Sequence, residues 1–388
     1  MQNDLMKKRM RLREEMQKSG AEACILTSGV NIFYLTGIIY TGFLYFPLEG
    51  EPIHFVKKPE DLDIPNLIPV RKPEMIAEEL LKRNIRLPQS ILIETDVLSY
   101  NTSSRIIKTL ESKEIQNASV LMRHLRKIKT PFEIEQTRVN ALKHKKIYDA
   151  VPMLYKKGMT DIELQIEIEY LMRKSGSVGI FLSYGENMNI HMGSVLSGDN
   201  AEATSPFDFA LGGAGLTPLL PLGANGSVIE EGHTIMVDMA GNFSPWMTDI
   251  TRVYSVGLIS ELAYKAHQVS LDIHQAFIEK AKPGITCGEL YDMAYNMAKK
   301  NRFDDYFMGT RQHAKFVGHG VGLEINEPPV IAPRNMEVLE PGIVLALEPK
   351  FVIPGTGAVG VENTYLITEN APENLTVLEE NIVDLKRV

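Results

Sequence analysis

Five residues in the second half of the chain have types and spacings suited to holding metal ions: Asp238, Asp249, His319, Glu348 and Glu362. Asp238 interrupts the apolar run from Thr234 to Ala240, and Asp249 opens a second run after a Gly-Asn-Phe-Ser-Pro connection. Glu348 and Glu362 each break a stretch that otherwise reads as buried strand, and His319 is bracketed by Gly318, Gly320 and Gly322. A carboxylate in an apolar strand needs a cation nearby, and two facing carboxylates need a metal or a shared proton. Singly, each has a bland explanation: a salt bridge, a turn cap, an edge-strand carboxylate, a histidine in a tight turn. Together they fit one site, in which four carboxylates and an imidazole hold a pair of divalent ions that activate a water and polarise a carbonyl. Oxygen-rich ligation with a single imidazole suits manganese first and tolerates iron, cobalt or zinc.

Strands must carry these ligands. The pattern predicts strands over 234–240, 249–256, 343–353 and 358–368, the first two pairing as a hairpin, with helices over 261–282 and 287–300 between them. Ahead of these lie two predicted helices, 131–156 and 160–176. Thr160 and Glu163 have the spacing of a capping box for the second. From about residue 178 a Gly- and Pro-rich loop region follows. The first third alternates, with helices over 5–19, 73–84 and 103–110 and strands over 23–27, 52–56 and 90–94. A Ser-Gly-Val-Asn turn leads into the aromatic run Ile32–Leu35. This alternation predicts an α/β domain, and the basic segment before Pro131 marks a boundary, giving domains 1–128 and 129–388.

The 388 residues are long enough for two cores. A net charge of −8 and the lack of a basic, aromatic-interleaved run argue against a nucleic-acid partner. No apolar stretch reaches the ~20 residues of a membrane span. The charged N-terminus does not read as a signal peptide. The lone cysteines, Cys24 and Cys287, give no disulfide framework and point to a cytoplasmic protein.

The set Asp-x10-Asp-Ile-Thr-Arg, Gly-His-Gly-x-Gly and two spaced strand glutamates resembles the pita-bread metallopeptidases: aminopeptidase P, prolidase and methionine aminopeptidase, with creatinase as a metal-free cousin. Residues 1–128, with Asn31-Ile-Phe-Tyr-Leu-Thr-Gly, resemble the creatinase-type N-terminal domain. The resemblance implies an α/β N-terminal domain followed by an α+β pita-bread catalytic domain. It implies a hydrolase cleaving an N-terminal Xaa-Pro bond, as dipeptidase or aminopeptidase, through a metal-bridging hydroxide. It assigns Asp238 to one metal, His319 and Glu348 to the other, and Asp249 and Glu362 to both, with Glu348 as general base and His319 beside it at the reaction centre. A homodimer with small peptide substrates is implied as well.

The chain departs from that pattern in places that touch specificity. Ser205 and Asn326 stand where proline-specific members carry histidines, and Gly360 where they carry an arginine. Lys350, two residues after Glu348, stands where a glycine is usual, and is read as a replacement cation that steadies the metal carboxylates or meets a substrate carboxylate. Lys350, Asn326 and His191 are the candidate substrate-binding residues. The same departures keep open a metalloenzyme of this fold acting on a non-peptide small molecule, as C–N hydrolase or lyase, or an inactive binding module.

Overall fold

Leu12 and Met16, fully buried on helix α1 (Gln2–Ser19), begin the inward face of the first unit. The computed structural model describes residues 2–185, 188 and 192–387. The chain separates into two compact units, Met1–Arg126 and Lys127–Val388.

In the first unit, α1 is followed by β1 (Ala23–Leu26), α2 (Gly29–Thr36), β2 (Thr41–Pro47), β3 (Ile53–Lys58) and β4 (Leu67–Pro69). Then come α3 (Glu74–Lys82), β5 (Ser90–Ile93), α4 (Tyr100–Leu110), β6 (Glu114–Asn117) and α5 (Ala118–Lys127). Its six strands form one mixed sheet in the order β4-β3-β2-β1-β5-β6. Two expectations fail here. Residues 28–31 do not form a turn but lead into α2, which takes in the aromatic run and ends on Gly37 at φ 77°. Asn31 is held there by Glu94, which accepts from its amide at 2.6 Å. Strand β2, whose run is apolar throughout rather than alternating, was not predicted. Such a run reads equally as buried strand or buried helix.

In the second unit, α6 (Pro131–Leu154) and α7 (Asp161–Lys174) both open on capping boxes. Thr130 pairs with Glu133, and Thr160 with Glu163. Each box satisfies two backbone N–H groups that have no partner inside the helix. The next strands are β7 (Gly193–Ser197), β8 (Thr234–Gly241) and β9 (Thr248–Ser255), and the next helices α8 (Glu261–Lys280) and α9 (Cys287–Lys300). The remaining strands are β10 (Gly318–Gly320), β11 (Glu327–Ile331), β12 (Val344–Leu347), β13 (Lys350–Ile353), β14 (Gly357–Gly360), β15 (Asn363–Leu366), β16 (Glu373–Asn374) and β17 (Val383–Asp384).

The strands make three sheets: β17-β9-β8-β7, β11-β10-β12-β15-β16, and the ribbon β13-β14. The long strands predicted over 343–353 and 358–368 are therefore each two. The first breaks at Glu348-Pro349, and the second at Val361-Glu362. Pro349 has no N–H to give a ladder, and both breaks let the chain pass from the five-stranded sheet to the ribbon and back. The two glutamates sit at those crossings.

Candidate metal centre

Asp238 and Asp249 come from the β8–β9 hairpin. In its register Asp238 faces Thr251 and Ala240 faces Asp249. Asp249 is thus two residues from Asp238's partner, and the two carboxylates are diagonal neighbours on one face. Thr251, opposite Asp238 in register, donates its Oγ1–H to Glu362 Oε2 at 2.6 Å, while the Glu362 N–H donates to Thr251 O at 3.2 Å. Glu348, at the end of β12, donates its N–H to Val317 O at 2.9 Å, beside the strand that carries His319.

His319 Nδ1 lies 3.1 Å from Gly320 O. A carbonyl only accepts, so Nδ1 carries the proton and Nε2 is turned toward the carboxylates. Nε2 lies 3.4 Å from Glu348 Oε1 and 3.9 Å from Asp249 Oδ2. Among the described residues two groups have ligand atoms close enough to share an ion, within 4.8 Å of one another: Asp249, His319 and Glu362, and Asp238, Glu348 and Glu362. The side chains of Asp238 and His319, 22 % and 13 % exposed, face the accessible side, while those of Glu348 and Glu362 are 4 % and 1 % exposed.

Lys350 does not point outward. It is fully buried, and its Nζ donates to Glu348 Oε2 at 2.6 Å, Asp238 Oδ2 at 2.8 Å and Glu362 Oε2 at 3.2 Å. Directly across the β13–β14 ladder from Lys350 is Gly360. A Cβ at Gly360 would lie 2.4 Å from Pro349 O and 2.9 Å from Lys350 Cα, at φ 135°. The glycine lets the two strands close at the point where the lysine turns in.

The charges are unevenly satisfied. Burial works to raise the Glu348 pKa, but the Lys350 ammonium and the contact with His319 hold it down at about 2. Burial pushes Glu362 up to about 8, with Lys350 working against the repulsion of Glu348 and Asp238. Burial and the charges of Glu362, Asp238 and Glu348 push Asp249 well above the carboxylate range. Burial works to lower His319, but its contact with Glu348 outweighs it and the pKa is raised. Lys350 is raised well above its ordinary value because three carboxylates outweigh its burial. Asp249 and Glu362, which resist ionisation, both belong to the triad that includes His319, and Glu362 Oε1 is buried with no hydrogen-bond partner among the described residues. A dication among Asp249, His319 and Glu362 would satisfy all three, so this donor set fits a divalent metal.

The residue profile described as "Metallopeptidase family M24" matches residues 135–369, more than half of the chain. The chain belongs to metallopeptidase family M24. The first unit of this M24 chain also matches the creatinase/prolidase N-terminal domain, over residues 8–128. The whole chain is 27% identical to the Xaa-Pro dipeptidase of Pyrococcus furiosus over 388 residues, covering 97% of this chain and all of that protein. The Xaa-Pro dipeptidase of Bacillus anthracis superposes with a TM-score of 0.80 at 24% identity, over 98% of this chain and 99% of that one. The prolidase of Pyrococcus horikoshii gives a TM-score of 0.79 at 24% identity, over 97% of this chain and 100% of that one. The fold is that of the pita-bread enzymes.

Other sequence candidates of this M24 chain are placed differently. Asn326 is committed to a neighbouring segment: its Nδ2 donates to Tyr184 O at 2.6 Å and its Oδ1 accepts from Tyr184 N at 2.8 Å. It clamps backbone and does not present a free amide to substrate. Ser205 Oγ donates to Pro221 O at 2.8 Å. His191 lies outside the described residues.

The structure adds residues that sequence reading passed over. Buried Arg252 donates to Thr251 O and Glu362 O, each at 2.8 Å, tying β9 to the second strand break. On α8, His267 and His274 hold the same break. Gly360 N–H donates to His267 Nδ1 at 3.2 Å, and His274 Nε2 donates to Val361 O at 2.9 Å. The only hint in sequence was their seven-residue spacing, which puts them on one helix face.

Burial lowers His267 and His274 to about 4, and His144, which meets Thr248 Oγ1 at 3.0 Å, to about 3. These folded values lie below the unfolded one of 6.5, so as pH falls the unfolded chain takes up protons that the folded chain refuses. The associated stability is fully present above about pH 6.5 and is lost as pH falls toward 4. By pH 5 each histidine is expected to have cost ~2 kcal/mol. Urea unfolding of the metal-free protein between pH 7 and 5 checks this, and the deficit should shrink in a His274→Gln variant.

Proposed function

We propose that this M24 chain hydrolyses an N-terminal Xaa-Pro peptide bond, as a metal-dependent dipeptidase or aminopeptidase on short peptides. The observation that carries the reading is the convergence of Asp238, Asp249, His319, Glu348 and Glu362 into two overlapping donor groups sharing Glu362. Similarity to named Xaa-Pro dipeptidases over nearly the whole chain supports the substrate class.

Glu348 is suited to act as general base. Its carboxylate stays ionised, with Oε2 fixed by Lys350 and Oε1 turned toward His319 and the metal position, so Oε1 is the oxygen that faces an attacking water and takes its proton. His319, its Nδ1–H anchored on Gly320 O, keeps Nε2 aimed at the same point. A bound divalent ion supplies Lewis-acid polarisation of the substrate carbonyl and a lowered pKa for the attacking water. Lys350 spends its three donors on carboxylates, so its role is to hold Asp238, Glu348 and Glu362 in place rather than to meet a substrate carboxylate. Manganese is the first expectation for the ion, with iron, cobalt and zinc compatible. A cytoplasmic setting suits two free, buried cysteines, and among the described residues no helix is long and apolar enough to cross a membrane. A homodimer is implied by the resemblance.

A second reading, hydrolysis or lysis of a non-peptide C–N substrate on the same centre, is favoured by one observation. Ser205 and Asn326 supply no imidazole, and both side chains are bound to backbone. Proline release from Xaa-Pro dipeptides and longer Xaa-Pro peptides, with protein loaded with manganese, iron, cobalt or zinc, separates the two. Metal-dependent release that a chelator stops is expected. Absence of release with metal demonstrably bound would favour the second reading.

A further inference from the structure

We propose that this chain binds one divalent ion per active site, among Asp249, His319, Glu348 and Glu362, and that the Lys350 ammonium takes the place of the second. The inference rests on the reading of this cluster as a metal centre and alters its stoichiometry.

Two donor groups lie side by side: Asp238, Glu348 and Glu362 in one, and Asp249, His319 and Glu362 in the other. Lys350 Nζ contacts every member of the first, at 2.8, 2.6 and 3.2 Å, and of the second it touches only the shared Glu362, among the described residues. An ammonium has three N–H donors, and here each is spent on a different carboxylate. A metal would have to approach the same oxygens at ~2.0–2.2 Å along the lone pairs already used. Both cations cannot sit there.

The lysine has little freedom to leave. Its side chain is fully buried, on a strand paired to β14 at the tight Gly360 crossing. Its backbone is fixed as well: Lys350 O accepts from Met308 N at 2.8 Å, and the preceding Pro349 O accepts from Ser270 Oγ at 2.7 Å.

The second group is arranged differently. Ligands of one ion with metal–ligand bonds near 2.1 Å stand ~3.0–3.4 Å apart. His319 Nε2 is 3.4 Å from Glu348 Oε1, at the upper end of that spacing, and 3.9 Å from Asp249 Oδ2, somewhat beyond it; both are wider than a close ion pair. Glu362 Oε1 is buried without a hydrogen-bond partner among the described residues, while its Oε2 is already taken by Lys350 and Thr251. Glu348 divides in the same way, with Oε2 toward the ammonium and Oε1 toward His319. The two shared carboxylates thus bridge an ammonium and a metal position, as they would bridge two metals.

The test is manganese stoichiometry by equilibrium dialysis and elemental analysis on the full chain, with electron paramagnetic resonance of the loaded protein. The wild type should bind one ion and give the spectrum of an isolated manganese. Lys350→Gly should gain a second ion and give an exchange-coupled spectrum. Should Lys350→Gly fail to fold, Asp238→Asn serves instead. Among the described residues the Asp238 side chain has the ammonium as its one hydrogen-bond partner and lies outside the four proposed ligands, so this variant should keep one ion with affinity within a few-fold of wild type. Two ions in the wild type, no second ion in a folded Lys350→Gly, or loss of the ion in Asp238→Asn would overturn the inference while leaving a metal centre in place. No bound ion at all would overturn the metal reading itself.

Discussion

Lys350→Met is expected to destabilise the metal-free protein by about 3–5 kcal/mol, the cost of leaving buried charge without its partner. Methionine keeps the length and apolar character of the lysine stem, so the loss reports the ammonium rather than a cavity. Without it, Asp238, Glu348 and Glu362 meet around a point with no positive charge. Glu362, already pushed up to about 8 by burial, and Asp249, pushed well above the carboxylate range by burial and its acidic neighbours, would take up protons more readily. The penalty should therefore be largest at pH 8–9 and shrink as pH falls and these carboxylates are neutralised. Manganese should restore stability, because an ion that binds only the folded chain stabilises it in proportion to the logarithm of its concentration. Urea unfolding with chelator and with manganese, at two pH values, measures each part. A variant as stable as wild type without metal would mean that the ammonium does not neutralise the cluster.

Glu348→Gln is expected to lower turnover by roughly 10²–10⁴-fold at saturating metal. The amide keeps the shape and can still face Lys350 through its oxygen, but it cannot accept a proton from water. The effect should fall on kcat more than on KM, since no contact of Glu348 is assigned to substrate binding. Steady-state proline release at several manganese concentrations separates loss of chemistry from loss of the ion. Turnover within a few-fold of wild type would remove Glu348 from the role of base.

The site was legible in sequence to the extent that its parts offend against their surroundings. Asp238, Asp249, Glu348 and Glu362 could be picked out because a carboxylate in a buried apolar run needs a reason, and His319 because three glycines crowd it. Helices were legible wherever a cap declared them, as Thr160 with Glu163 does for α7. What escaped was the breaking of two long strands into four. The hydrophobic pattern continues through Glu348-Pro349 and Val361-Glu362, although the chain changes sheet there, and Pro349 was the available sign. The partners of those breaks were out of reach of local pattern. Asp238 and Lys350 meet across 112 residues of sequence, and His267 meets the Gly360 N–H across 93. That Lys350 should share a side with Glu348 could be argued from two-residue spacing. That it would engage three carboxylates at once could not, because two of them arrive from other strands.

The account places a single divalent ion against Asp249, His319, Glu348 and Glu362, with Lys350 on the opposite carboxylate oxygens. Anomalous X-ray diffraction from manganese-loaded crystals of the full chain tests this most directly. The account predicts one anomalous peak within bonding distance of those four residues, with Lys350 Nζ still bonded to Asp238, Glu348 and Glu362. A second peak at Asp238 with Lys350 displaced, or no peak among the four ligands, would contradict it.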